Sequence, residues 1–384
     1  MYRPLAILIC MIIWLPLKAQ YDPRMVSLDS VTYAYFVNKD WRKLIDTVDV
    51  AISEKNDFYL LNIRAAIASN VLNKPYKEQY YLQKANQDFP NDALGLSMMY
   101  NNYLQTGSYP QALRTLRQMQ QDSSLRNSYP ERPFIHLINA EVGYKISSEE
   151  AFYKPLFYTL GGVGFRINKV SFYSAFSYLS QTSYLGKLKQ YQLYLSGNIP
   201  LKKNWIFSPA LHLLNYGIEE NNIETFSGSP VLAGINVTKQ HKNITYGLGY
   251  YFSTLNNERQ HQIQPSVTWY PFSNNRLSVN VFGGYMPMKN QWIQNYTIQT
   301  QPFNQTTFTV SYLYANARYF TEQNGLLVNN AYDITGNRIM LNINRNLNRE
   351  WSVYGIYIYE TKTEALSQLP YVYHMGILGL KRVF

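Results

Sequence analysis

The strongest pattern along the chain is a period of two. Between residues 190 and 200, Tyr191, Leu193, Leu195 and Ile199 alternate with Gln190, Gln192, Tyr194, Ser196 and Asn198. Between 244 and 253, Ile244, Tyr246, Leu248, Tyr250 and Phe252 alternate with Thr245, Gly247, Gly249, Tyr251 and Ser253. Between 262 and 271, Ile263, Val267, Trp269 and Pro271 alternate with Gln262, Gln264, Ser266, Thr268 and Tyr270. Successive side chains of a strand point to opposite faces, so each stretch has one apolar face and one uncharged polar face. Each is also about as long as a strand tilted across a bilayer.

Further runs near 157–167, 170–181, 204–216, 230–238, 275–286, 290–300, 306–319, 338–346, 350–361 and 371–384 bring the count to thirteen. Bacterial membrane barrels have an even number of strands. The stretch 134–147, where Ala140, Val142, Tyr144 and Ile146 alternate with Glu141, Gly143 and Lys145, supplies the fourteenth. The alternative is twelve, with that stretch a capping helix and one weak strand a loop. With fourteen, the even-numbered connections are tight, such as Asn168-Lys169 and Lys202-Lys203-Asn204. The odd-numbered ones include the longest, 217–229, 320–337 and 362–370. Short inner turns and long outer loops are the expected barrel arrangement. A soluble β-sandwich also alternates, but rarely with so few charges on its polar faces.

Before residue 130 the apolar period becomes helical. Three units align at a spacing of 34, beginning near Met25, Tyr59 and Ala93. The third carries Tyr103, Gly107, Tyr109, Ala112 and Leu116, the second Leu82, Ala85 and Pro90, and the first Tyr35, Trp41, Leu44 and Ala51. This resembles the tetratricopeptide (TPR) pattern. A small residue lets two helices approach, a Gly turns the chain, and a Pro stops the second helix. Glu78 and Leu44 stand where that pattern has Ala, and Met119 replaces a third Ala. Tyr103, Gly107, Tyr109, Ala112, Ala85 and Pro90 are the expected repeat-packing positions. A stack of this kind offers a surface to a protein partner.

Residues 1–20 read as a secretory leader: Arg3, an apolar run from Leu5 to Leu17, then Ala19. Cys10, the single cysteine, lies inside it, so the mature chain has no disulfide and no thiolate ligand. The expected organisation is therefore a leader (1–20), a TPR-like helical domain in the periplasm (21–130) and an outer-membrane β-barrel (131–384). The fold class is α + β in two domains, helical repeats followed by an antiparallel transmembrane barrel. The polar, Pro-bearing segment 122–133 is the boundary.

Composition agrees. Charged residues are 15% of the chain, against about 25% in ordinary soluble proteins, and 36 residues are Tyr. From 21 to 132 there are 13 basic and 12 acidic residues; from 133 onward there are 20 and 12. The positive balance thus sits in the barrel half. The basic residues form no stripe, so nucleic acid is not expected as a partner. Phe384, with Leu380 and Leu378 on the same face, resembles the C-terminal strand by which outer-membrane barrels are recognised for insertion.

Leader, TPR-like repeats and barrel together resemble the TPR-plus-barrel outer-membrane proteins of Gram-negative bacteria, the YaiO-like barrels and polysaccharide exporters among them. The leader ending in Ala-Gln and the Asn/Tyr-rich strands are similar to proteins of the Bacteroidota. The resemblance implies transport or export of a glycan or other solute, with a periplasmic protein partner on the repeats and outer-membrane lipids around the barrel. The alternative is a filled, non-conducting barrel that anchors an interaction scaffold. No enzyme is expected. His136, His212, His241, His261 and His374 have no metal-binding spacing, and no nucleophile elbow, P-loop or dinucleotide fingerprint occurs. Cofactors are expected to be none. Gln190, Gln192, Tyr194, Tyr251, Gln262, Gln264, Tyr270 and Asn280 fall on the polar faces and are the expected lumen lining. Fourteen strands enclose a narrower bore than a 16–18-stranded porin, so inward Tyr side chains or a folded loop can close it. The segment 320–337 is long enough to do so.

Overall fold

The computed structural model describes residues 23–121, 133–150, 153–184, 186–220, 223–255, 258–303 and 305–384. The leader with Cys10, and residues 122–132 of the boundary, lie outside the described residues.

Among the described residues six helices come first: α1 (Pro23–Val37), α2 (Trp41–Ser53), α3 (Tyr59–Val71), α4 (Pro75–Asp88), α5 (Ala93–Gln105) and α6 (Tyr109–Met119). They form three consecutive pairs, and the turn inside each pair repeats. Lys39, Asn73 and Gly107 have positive φ (60°, 54° and 74°) and lie 34 residues apart. The next N–H in each case reaches back five residues: Asp40 to Tyr35 (2.9 Å), Lys74 to Ser69 (2.8 Å) and Ser108 to Tyr103 (2.8 Å). That is the Schellman cap of a helix C-terminus. Gly adopts it without cost, and Lys39 and Asn73 adopt it under local strain.

Tyr103, Ala85 and Ala112 are buried in one core with Leu44, Leu61 and Met119. Gly107 and Pro90 punctuate the helices and do not pack in that core. Tyr109 corrects the expected packing set. It opens α6 and is 51% exposed, because the turn at Gly107 places the first residue of α6 on the outside.

Glu78, at an Ala position of the pattern, is buried between α3 and α5 and accepts a hydrogen bond from Asn70 Nδ2 (2.9 Å). Burial raises its pKa above the usual carboxyl value of about 4.5. A raised acid pKa costs stability once the pH passes the unfolded-state value, and the cost is complete above the folded-state value. Glu78→Gln keeps an acceptor for Asn70 and removes the charge. It should raise the melting temperature of the helical half by a few degrees at pH 8, with no gain below pH ~4, read from circular dichroism at 222 nm.

The strands are β1 (Ile135–Ser147), β2 (Tyr153–Ile167), β3 (Val170–Ser183), β4 (Gly186–Pro200), β5 (Trp205–Glu220), β6 (Ile223–Gly228), β7 (Val231–His241), β8 (Ile244–Ser253), β9 (Gln260–Trp269), β10 (Leu277–Met286), β11 (Gln291–Phe303), β12 (Thr306–Glu322), β13 (Leu327–Asn346), β14 (Trp351–Thr363) and β15 (Pro370–Val383). Fourteen close into an antiparallel barrel through the β1–β15 pairing, with Ala140 opposite Leu380. β6 pairs with the end of β5 and stands outside the ring. The segment 134–147 is therefore the closing strand β1, not a capping helix, and the twelve-strand alternative falls. Part of the expected loop 217–229 is the β5–β6 hairpin.

The helical half docks on the end of the barrel with the short turns. Tyr76 donates its N–H to the Ser273 carbonyl (3.1 Å) and its hydroxyl to Asn275 Oδ1 (2.5 Å). Tyr103 donates to Asn204 Oδ1 (3.1 Å), and Arg114 to the Leu201 carbonyl (2.5 Å). In return Asn274 donates to the Asn73 carbonyl (3.2 Å) and Asn275 to that of Gln105 (3.1 Å). The turns after β4, β7 and β9 thus carry this half, the second through Lys242, whose ammonium lies over the Tyr80 ring (4.9 Å).

Candidate functional site

The barrel is apolar outside and polar inside. Leu248 (57%) and Leu378 (66%) are among many aliphatic and aromatic side chains exposed on the outer face. The outward charges Lys189, Lys239, Arg345 and Arg382 lie within three residues of a strand end. Trp205, Trp269, Trp292 and Trp351 also sit at strand ends on this face, as in the aromatic belts of membrane proteins. Water does not solvate such a surface; lipid does, and the closed ladder leaves no strand edge to the bilayer. His261 and His374 also face outward, each with its Nδ1 at a phenol hydroxyl, that of Tyr250 (2.6 Å) and of Tyr357 (2.7 Å). They are not lumen residues.

Inside, one hairpin leaves the wall. The β11–β12 ladder runs as far as Gln294 opposite Tyr314. Asn316 then takes a positive φ of 45°, a backbone state that Asn tolerates better than most residues. Beyond it β12 pairs only with β13, Tyr319 opposite Asn330 and Glu322 opposite Leu327. Between Ala317/Thr335 and Tyr319/Asn330 the register slips, which bends the hairpin away from the cylinder. The result is an arm, residues 317–335, folded into the bore. Its tip is the turn Gln323–Gly325.

The lumen side chains hold that tip. Tyr194 donates to the Asn324 carbonyl (3.0 Å) and Tyr251 to Asn324 Oδ1 (2.9 Å). His212 Nδ1 donates to the Gly325 carbonyl (2.9 Å), and its Nε2 lies 2.9 Å from the Gln192 amide. Gln262 and Gln264 both donate to the Thr321 carbonyl (3.0 and 2.6 Å), and Gln262 also accepts the Thr321 N–H (3.0 Å). Gly325 has φ of +81° and lies so close to Leu232 that a Cβ would sit 2.9 Å from its Cδ2. Leu326 packs on Ala175, Tyr194 and Ala210, and Phe320 on Met286, Ile293 and Ala317.

Ionic contacts also hold the arm, at Glu322 beside its tip and at Asp333 and Thr335 near its base. Arg338 on the wall pairs with Glu322 on the arm, whose second oxygen accepts from Asn295 (3.1 Å). Beside them Glu360 takes Lys145 (3.3 Å) and Lys362 (3.8 Å). Lys362 also donates to Thr335 Oγ1 (2.8 Å). Asp333 accepts from Tyr153 (2.6 Å) and Tyr371. Three cations thus meet three carboxylates with the surrounding phenols and hydroxyls as donors and acceptors, which is the condition for burying them. Nearer the short-turn end, Glu141 accepts from Tyr354 (2.6 Å) and Tyr158 (3.3 Å), and Tyr173 donates to Asn139 (2.9 Å).

Gln192, Tyr194, Tyr251, Gln262 and Gln264 therefore converge on the arm. Gln190 is buried on the same face of β4. Asn280 lies away from the arm and donates to Thr268 Oγ1 (2.7 Å). Tyr270 is a correction: β9 ends at Trp269, and Tyr270 leaves the lumen to stack on Tyr76 of α4 (4.2 Å between ring centres). The expectation of an uncharged lumen is also corrected by Lys145, Glu322, Asp333, Arg338, Glu360 and Lys362. Their only sequence signal was parity, since Glu360 and Lys362 fall two apart on one face.

No family model matches the chain, and no curated protein is similar to it in sequence. Among solved structures it is similar to the TodX ΔS2S3 mutant monoaromatic hydrocarbon channel, with 8% identity over 66% of this chain and 91% of that one and a TM-score of 0.48. The monoaromatic hydrocarbon channel CymD has 7% identity over 66% and 89%, with a TM-score of 0.47. The Ralstonia pickettii toluene transporter TbuX has 8% identity over 66% and 90%, with a TM-score of 0.45.

Proposed function

We propose that the chain is an outer-membrane transporter for a hydrophilic solute, closed at rest by the 317–335 arm. The observation that carries this reading is how the arm is held. Its tip is fixed mainly by hydrogen bonds from Gln, Tyr and His side chains. Water or a hydroxylated solute can replace each of these, and each contributes a net ~0.5–1.5 kcal/mol. Beyond the arm the bore offers amides, hydroxyls and phenol rings, among them Asn139, Tyr173, Asn198 and Asn280. That set suits the hydroxyls and ring faces of a glycan.

In this reading the short turns face the periplasm. The helical half is a TPR-like docking module for a periplasmic protein, which agrees with the exporter resemblance, and lipid surrounds the barrel. A closed bore equally favours the second reading, an anchored interaction scaffold.

Solute influx into proteoliposomes separates the two. Glucose, maltose and raffinose should enter slowly with the wild-type protein. They should enter several-fold faster with Tyr194→Phe/Tyr251→Phe, which removes both phenol bonds to Asn324. No influx with either protein, when both show heat-modifiable migration on gels, leaves the scaffold.

A further inference from the structure

Where the tip of the α3–α4 pair meets the β9–β10 turn, the two halves of the molecule leave a crevice of about 470 Å³, within the roughly 300–1,000 Å³ typical of small-ligand sites. Lys74 and Arg276 both line it, with Leu72 and Phe272 as apolar walls and the amides of Asn73 and Asn274 between them. Three other cations at this end are engaged. Lys77 pairs with Asp49 (2.7 Å), Lys239 lies over Trp205 (5.0 Å) and Lys242 over Tyr80. Lys74 and Arg276 have no ion pair or cation–π partner among the described residues. Two unpaired like charges in one crevice repel unless an anion lies between them. The start of α4, at Pro75, adds the positive end of its dipole.

The height of the crevice indicates the source of the anion. Trp269, the last residue of β9, is 47% exposed on the lipid face, and three residues later Phe272 is 59% exposed. Trp at the end of a membrane strand marks the headgroup level. The crevice therefore opens where the phosphates of the adjoining leaflet lie, with an aromatic side chain available to the glycerol and acyl part.

We propose that this crevice binds the phosphodiester of an anionic phospholipid between Lys74 and Arg276. The lipid thereby ties the helical half to the membrane surface. The proposal rests on the lipid-embedded barrel of the reading above but not on transport, so a failed influx assay leaves it standing.

The test uses the full chain in detergent, with phosphatidylglycerol and phosphatidylcholine retention measured by native mass spectrometry. Wild type should retain phosphatidylglycerol in preference to phosphatidylcholine, whose choline neutralises the phosphate. Lys74→Ala/Arg276→Ala should retain about tenfold less, since two charge-assisted contacts are lost. Lys74→Arg should retain as much as wild type. Helix content and heat-modifiable migration check that each variant is folded. Equal retention of phosphatidylglycerol by wild type and the double variant overturns the proposal. So does equal retention of the two lipids by wild type, or capture of inorganic phosphate without phosphatidylglycerol.

Discussion

Replacing residues 318–334 by a short Gly-Ser turn should convert a mostly closed barrel into a steadily conducting one. In a planar bilayer the time-averaged current should rise by on the order of a hundredfold. Six hydrogen bonds from the wall reach Thr321, Asn324 and Gly325. Even if half of their net worth is recovered by water in the open state, closure is favoured by ~3 kcal/mol, which leaves the open state below about 1%. Removing the arm removes that bias. Ala317 and Thr335, which face each other at its base, are the natural points for the new turn. A graded version is Gly325→Ala, where the positive φ and the close approach to Leu232 oppose a Cβ. Its current should lie between those of wild type and the excised form. An unchanged current after excision would mean that the wall side chains alone seal the bore.

The barrel was readable because its two solvents are so different. Lipid outside and polar atoms inside impose a period of two on every wall strand, and all fourteen expected strands are present. The helical repeat was readable for a local reason too, since Lys39, Asn73 and Gly107 terminate equivalent helices with one cap. The inward arm was only half readable. Its length marked 320–337 as a segment able to close the bore, but alternation continues through Thr306–Glu322 without a sign that the partner changes at Asn316. The role of His212 was not visible because its acceptor, Gly325, is 113 residues away. The ion cluster was hidden for the same reason. Lys145 and Glu360 are 215 residues apart, and only closure of β1 on β15 brings them together. Tyr270 had the right parity for the lumen, but it lies one residue beyond the ladder, where the helical half takes it.

The ion cluster yields the prediction that most sharply tests whether the arm moves as a unit. Glu322 and Arg338 are a largely buried pair, with side chains 6% and 17% exposed. Removing one partner of such a pair costs ~3–5 kcal/mol, because a charge is left buried alone. Where that cost falls depends on which element keeps the stranded charge. In Arg338→Met the unpaired carboxylate belongs to the arm, and it recovers its hydration if the arm swings out. The variant should therefore conduct strongly while its guanidinium unfolding midpoint in detergent stays close to wild type. In Glu360→Gln the stranded ammonium groups of Lys145 and Lys362 belong to the wall strands β1 and β14 and have no such escape. There the midpoint should fall by the equivalent of about 3 kcal/mol, with a smaller change in current. Glu322→Gln/Arg338→Met removes both charges and should restore closure, because no lone charge remains to draw the arm into water. If Arg338→Met instead lowers the unfolding midpoint and leaves the current unchanged, the arm is part of the wall's folding unit and is not a gate.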